Sequence, residues 1–216
     1  MIKVLLLDAA NTIIHKPDLW IKLQHTLNTF GYNPSLVDLK RNHKLLSEYI
    51  HFPDRTDENF YNHFNSELLF SFGIIPNEII LKEMFTSCSY LPWHSFQDTE
   101  ILCSIKLPIA ILSNFNSGLG KLLNNLFPTK FISIIASEDE KIRKPDVRFF
   151  QLSLEKLNLL PNEILYIGDS IKLDMKPAIE VGMNAFLIDR DNYFKEFSNR
   201  ISSFNELPKL IKNINS

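Results

Sequence analysis

Five short apolar runs, each passing straight into polar residues, restrict the fold of this chain more than any other feature. They are Ile2–Leu7, Pro108–Leu112, Phe131–Ala136, Ile164–Ile167 and Ala185–Ile188. Runs of this length without alternation suit strands buried on both faces, as in a parallel sheet. Helical periodicity over residues 98–106, 117–127, 146–158 and 174–181 supplies the crossovers between them. Strand and helix in alternation give βαβ units and an α/β class.

Residues 17–92 break this alternation. Leu19, Trp20, Leu23, Leu27 and Phe30 share one helical face that ends at Gly31. Asn33-Pro34 opens a second helix with Leu36, Leu39, His43, Leu46 and Ile50 in phase. Thr56 or Asp57 caps a third, and Pro76 starts a fourth through Ile79, Ile80 and Met84. Four successive helices form a small bundle inserted after the first strand. His43, on an apolar stripe, reads as a core residue. The tail, 191–216, is polar with a weak helical pattern near Leu207 and Leu210.

Composition narrows the function classes. The net charge is −2, so a basic face for nucleic acid is not expected. Cys88 and Cys103 form no CxxC pair and read as reduced, mostly buried thiols. The opening apolar run is too short for a membrane span and shows no signal-peptide cleavage pattern. The expectation is a cytoplasmic protein, monomer or homodimer, without a membrane partner.

In open α/β sheets, ligands sit at the carboxyl ends of the strands. Asp8 to Thr12 follow the first run, and Ser113-Asn114 follow the second. Arg143-Lys144-Pro145-Asp146 come after the third, and Gly168-Asp169-Ser170, with Asp174 beyond, after the fourth. Two aspartates from different strands suit Mg²⁺, which takes one or two carboxylates plus substrate oxygens. A lysine and a hydroxyl suit phosphate oxygens, and a carboxylate can attack phosphorus. Asp174 also fits a plain helix N-terminal charge, and Glu138, Asp139 and Glu140 read as a solvated loop.

These residues, in this order, resemble the haloacid dehalogenase (HAD) superfamily of hydrolases. Leu7-Asp8-Ala9-Ala10-Asn11-Thr12 resembles its first motif and Ile111-Leu112-Ser113-Asn114 its second. Arg143-Lys144-Pro145-Asp146 with Phe149-Phe150 resembles the third, and Tyr166-Ile167-Gly168-Asp169-Ser170 with Asp174 the fourth. The resemblance implies a Rossmann-like parallel-sheet core over 1–16 and 93–216, with a helical C1 cap at 17–92. It implies Asp8 as nucleophile and Mg²⁺ ligand, Asp169 and Asp174 at the metal, and the backbone carbonyl of Ala10 facing the ion. Ser113, Asn114 and Lys144 would meet the phosphoryl group of a small phosphorylated substrate, with Thr12 steadying the turn.

One position departs from the phosphatase pattern. A second Asp, which serves as acid and base, normally stands where this chain has Ala10. Such a group contributes roughly 10²–10⁴ in rate. The variant resembles the subset containing phosphonoacetaldehyde hydrolase, which cleaves a C–P bond through a cap lysine; Lys22, Lys40, Lys44 and Lys82 are the candidates here. A phosphate-binding protein without turnover is the third reading.

Overall fold

The computed structural model describes residues 1–215, which divide into two compact units. One comprises Met1–His15 with Ser95–Ser216, and the other Lys16–His94.

The first unit carries the sheet. Its strands are β1 (Val4–Leu7), β4 (Ile109–Ser113), β5 (Ser133–Ala136), β6 (Ile164–Gly168), β7 (Asn184–Ile188) and β8 (Arg200–Ile201). Two-residue strands β2 (Ile14–His15) and β3 (His94–Ser95) mark where the chain leaves this unit and returns. The sheet order is β5-β4-β1-β6-β7-β8, parallel throughout. β1 is central and fully buried, which accounts for its unbroken apolar run. Val4 and Leu6 pack with Ala110, Phe149, Phe150 and Tyr166 in one layer of the core.

The second unit holds four helices, α1 (Asp18–Thr29), α2 (Leu36–Ser47), α3 (Glu58–Phe70) and α4 (Glu78–Cys88). Their starts follow side-chain capping chemistry. Ser35, Asp57 and Asn77 accept from the backbone N–H groups of Asp38, Phe60 and Ile80. Ser35 and Asn77, rather than the neighbouring prolines, therefore set two of the starts. Gly31 and Gly73, at φ +83° and +72°, let the chain turn out of α1 and α3. Leu23, Leu27, Leu39, Leu68 and Met84 form this unit's core. His43 lies among aromatic rings, with Phe64 at 4.7 Å and Trp20 at 5.1 Å.

The remaining helices belong to the sheet unit: α5 (Leu119–Leu126), α6 (Ser137–Glu140), α7 (Val147–Leu157), α8 (Lys176–Glu180) and α9 (Leu207–Asn215). Several sequence expectations change here. Residues 97–104 form a 3₁₀ segment instead of an α-helix. Glu138 to Glu140 lie in the one-turn α6, where Glu138 accepts from the Ser117 N–H and Glu140 pairs with Lys156 at 2.8 Å. Cys88 is buried and Cys103 exposed, so only one thiol follows expectation. The polar tail contributes β8 to the sheet edge as well as α9. Among the described residues, no helix is long and apolar enough to cross a membrane.

Candidate active site

Strand register assembles the site. Leu7 of β1 lies level with Ile111 of β4 and Ile167 of β6. Asp8, Ser113 and Asp169 therefore leave the sheet along one edge. The Asp8 N–H still donates to the Ile167 carbonyl at 2.9 Å, which extends the strand geometry to this residue.

Asp8 is buried and its carboxylate is surrounded by donors. Oδ1 accepts from the Ser113 hydroxyl at 2.9 Å and from Lys144 Nζ at 2.6 Å. Oδ2 accepts from the Thr12 hydroxyl at 3.0 Å. Thr12 reaches it because the chain turns tightly after Asp8. The N–H groups of Thr12, Ile13 and Ile14 all donate to the Ala9 carbonyl, and Asn11 takes a left-handed φ of 58°. Asn is among the non-glycine residues that adopt this region most readily.

Lys144 uses three contacts at once. Nζ donates to Asp8 Oδ1 and Asp174 Oδ1, each at 2.6 Å, and to the Tyr166 hydroxyl at 3.2 Å. Burial alone would lower its pKa; the Asp174 and Asp8 carboxylates outweigh that and hold it above the usual ammonium value. Tyr166 in turn donates to Asp174 Oδ1 at 2.6 Å. Burial, reinforced by the nearby carboxylates of Asp174 and Asp8, pushes its phenol well up, so it stays a neutral donor. Sequence reasoning missed this role because Tyr166 reads as one more bulky residue in an apolar run. The available signal was a hydroxyl two residues before the site glycine.

Asn114 departs from the expected substrate contact. Its side-chain N–H donates to the Lys144 carbonyl at 2.9 Å, and its oxygen accepts from the Lys144 N–H at 2.8 Å. The amide thus grips the backbone that carries the lysine. Asp174 sits in a π-helical turn, Ile171–Met175, and its Oδ2 accepts from the Ser170 N–H at 3.0 Å. A Cβ on Gly168 would lie 2.4 Å from Asp174 Cγ, so the residue before Asp169 has to be glycine. Ala10 makes an isolated bridge to Ile14.

One ligand oxygen from each of Asp8, Asp169 and Asp174 lies within 4.8 Å of the other two. Lys144 bonds two of these carboxylates, Asp8 and Asp174, and an all-oxygen donor set of this kind fits a hard divalent cation.

The expected cap lysines show no comparable setting. Lys44 pairs with Glu48 at 3.1 Å, Lys40 is half-buried, and Lys22 and Lys82 are exposed. Lys16, which sequence reasoning passed over, has its pKa lowered by burial and sits 5.0 Å from the Trp93 ring centroid.

Asp8, Ser113 and Asp169 thus stand at the ends of three strands of one parallel sheet, and Lys144 reaches Asp8 from the loop before α7. Residues 105–188 match the family model of haloacid dehalogenase-like hydrolases. Over 89 residues the chain is 35% identical to the glyceraldehyde 3-phosphate phosphatase of Methanocaldococcus jannaschii, covering 39% of each chain. Over 109 residues it is 31% identical to (S)-2-haloacid dehalogenase 1 of a Pseudomonas strain, covering 47% of this chain and 48% of that one. The matched segments thus span about two-fifths to half of these relatives' lengths. A magnesium-bound HAD-hydrolase structure from Bacillus subtilis superimposes with a TM-score of 0.68 at 21% identity, covering 98% of this chain and 99% of the other. Residues 105–188 thus resemble haloacid dehalogenase-like hydrolases in sequence, and the chain as a whole shares the fold of the solved HAD-hydrolase.

Proposed function

We propose that this protein is a Mg²⁺-dependent hydrolase of a small phosphorylated metabolite, with Asp8 as the nucleophile. One observation carries the reading: Asp8, Asp169 and Asp174 bring one oxygen each within 4.8 Å of the others, and the buried Lys144 bonds two of them. Asp8 and Asp169 would hold the ion, with Asp174 and the Ala10 carbonyl as further oxygen donors. When bound, Mg²⁺ supplies charge neutralisation at the phosphoryl oxygens. Similarity over 89 residues to the glyceraldehyde 3-phosphate phosphatase of Methanocaldococcus jannaschii supports the substrate class.

The chain's own groups then divide the work. Asp8 Oδ1 accepts from Ser113 and Lys144, whereas Oδ2 accepts from Thr12 alone and keeps capacity for attack; Oδ1 would face the ion once the Ser113 hydroxyl turns to the phosphoryl group. Attack forms an Asp8–phosphorus bond and breaks the bond to the leaving oxygen. With Ala10 in place of an acid, that oxygen takes its proton from water. A second water attacks phosphorus, releases phosphate and regenerates the Asp8 carboxylate, its proton passing to solvent. Ser113 and Lys144 balance the phosphoryl charge; Lys144 can exchange its longest contact, to Tyr166, for a phosphoryl oxygen.

The test is a screen of phosphorylated metabolites with Mg²⁺, run beside Asp8→Asn. Phosphate release by the native protein should fall by on the order of 10³-fold or more in the variant, as for loss of a covalent nucleophile. Chelation of the metal should stop it. Equal release by native protein and variant across the panel would overturn the proposal.

A further inference from the structure

Arg190 lies just past β7, beyond the segment matched by the family model, and outside every motif named above. Its guanidinium nevertheless reaches the turn that follows the nucleophile. Nη1 donates to the Asn11 carbonyl at 3.3 Å, and Nη2 donates to the Thr12 carbonyl at 2.9 Å. Nε and Nη2 also donate to the two oxygens of Asp98, at 3.1 and 2.9 Å. The group is stacked over the Phe96 ring at 3.8 Å, with Phe204 at 5.3 Å. Phe96 itself stacks on His15 at 3.9 Å, and its N–H donates to the Ile13 carbonyl. Asp98 is fixed in turn by the Ser203 hydroxyl and the Phe204 N–H.

We propose that Arg190 is a positioning residue for the nucleophile, acting through the carbonyls of Asn11 and Thr12. The inference rests on the phosphoryl-transfer reading above and deepens it. Within the turn, the N–H groups of residues 11 to 14 are satisfied by the carbonyls of Ala9 and Ile14. That leaves the outward carbonyls to be held, and the arginine fork holds two of them. The same turn aims the Thr12 hydroxyl at Asp8 Oδ2, the oxygen with capacity to attack. Asp98 neutralises the guanidinium, so its contribution is geometric rather than a long-range field. A planar fork with five donors can bind two carbonyls and a carboxylate while stacked on an aromatic face; an ammonium lacks that shape.

The experiment compares native protein with Arg190→Met, Arg190→Lys and Asp98→Asn, each with Mg²⁺ present. Hydrogen exchange of residues 9–14 and steady-state kinetics on a substrate from the panel are read together. A misplaced reacting group costs on the order of 10²-fold. Arg190→Met should lower kcat about 10- to 100-fold, leave KM within about twofold, and lose protection at residues 9–14. Arg190→Lys should recover only a minor part of kcat. An unchanged kcat would overturn the proposal, as would a loss explained by the folded fraction seen in circular dichroism. If the native protein turns over nothing, the hydrolase reading fails on its own. The exchange measurement then decides for Arg190, and native-like protection of residues 9–14 in Arg190→Met would overturn it.

Discussion

Asp8 illustrates how little room this site leaves for conservative change. Its two oxygens are shared among a hydroxyl on each side and an ammonium, and each donor comes from a different stretch of chain. The position two residues on is the exception, because Ala10 brings no polar side chain. Ala10→Asp should raise phosphatase kcat by about 10²–10⁴ if the acid–base group is all that is lacking; steady-state rates on the best substrate check this. Gly168→Ala should act in the opposite direction. The new methyl would displace Asp174, freeing Lys144 from one of its two carboxylates. Mg²⁺ affinity by calorimetry should fall about 10–100-fold, as when a supporting shell is disturbed. At this scale the sequence was legible wherever a polar residue ends an apolar run, as with Asp8, Ser113 and Asp169. It was opaque where a polar tip hides on a bulky side chain, as with Tyr166. Asn114 was placed correctly beside the site, but hydrogen bonding to the lysine backbone, invisible in the order of residues, sets its role.

The helices of residues 16–94 show what periodicity and caps convey. Their number and apolar faces followed from spacing, and Gly31 marked the exit of the first because φ is positive there. What periodicity missed depends on tertiary pairing. β8 is two residues long and owes its strand geometry to Leu187 and Ile188 of β7. The π turn around Asp174 widens to let the Met175 N–H reach the Ser170 carbonyl, which no local propensity encodes. His43 gives the bundle a pH dependence. Burial, then the charges of Lys44 and Lys16, pushes its pKa down to about 4, from an ordinary 6.5. Above pH 6.5 the ring is neutral whether folded or unfolded, and it contributes no slope. Between about 6.5 and 4 the unfolded chain binds a proton that the folded one refuses, so stability falls with pH by up to about 3 kcal/mol. Below about 4 the loss is complete and constant. His43→Phe should flatten this slope. Urea unfolding at pH 7 and pH 5, followed by tryptophan emission, checks it, because both tryptophans, Trp20 and Trp93, lie in this unit.

For the molecule as a whole, the boundaries at Lys16 and His94 mean that ligand effects can be read unit by unit. Mg²⁺ at a hundred times its Kd should stabilise the sheet unit by about 2.7 kcal/mol, seen as slower hydrogen exchange in β1, β4 and β6. Asp169→Asn should remove that gain. The central place of β1 has a temporal consequence. This strand leaves the ribosome long before its partners, which begin at Ile109 and Ile164. At about 5–20 residues per second, β1 waits roughly 5–20 s for the first of them. The four-helix segment is complete well before then, so synthesis itself orders assembly, bundle first and sheet last. Nascent chains arrested near residue 130 should accordingly resist protease across the bundle while β1 remains cleavable.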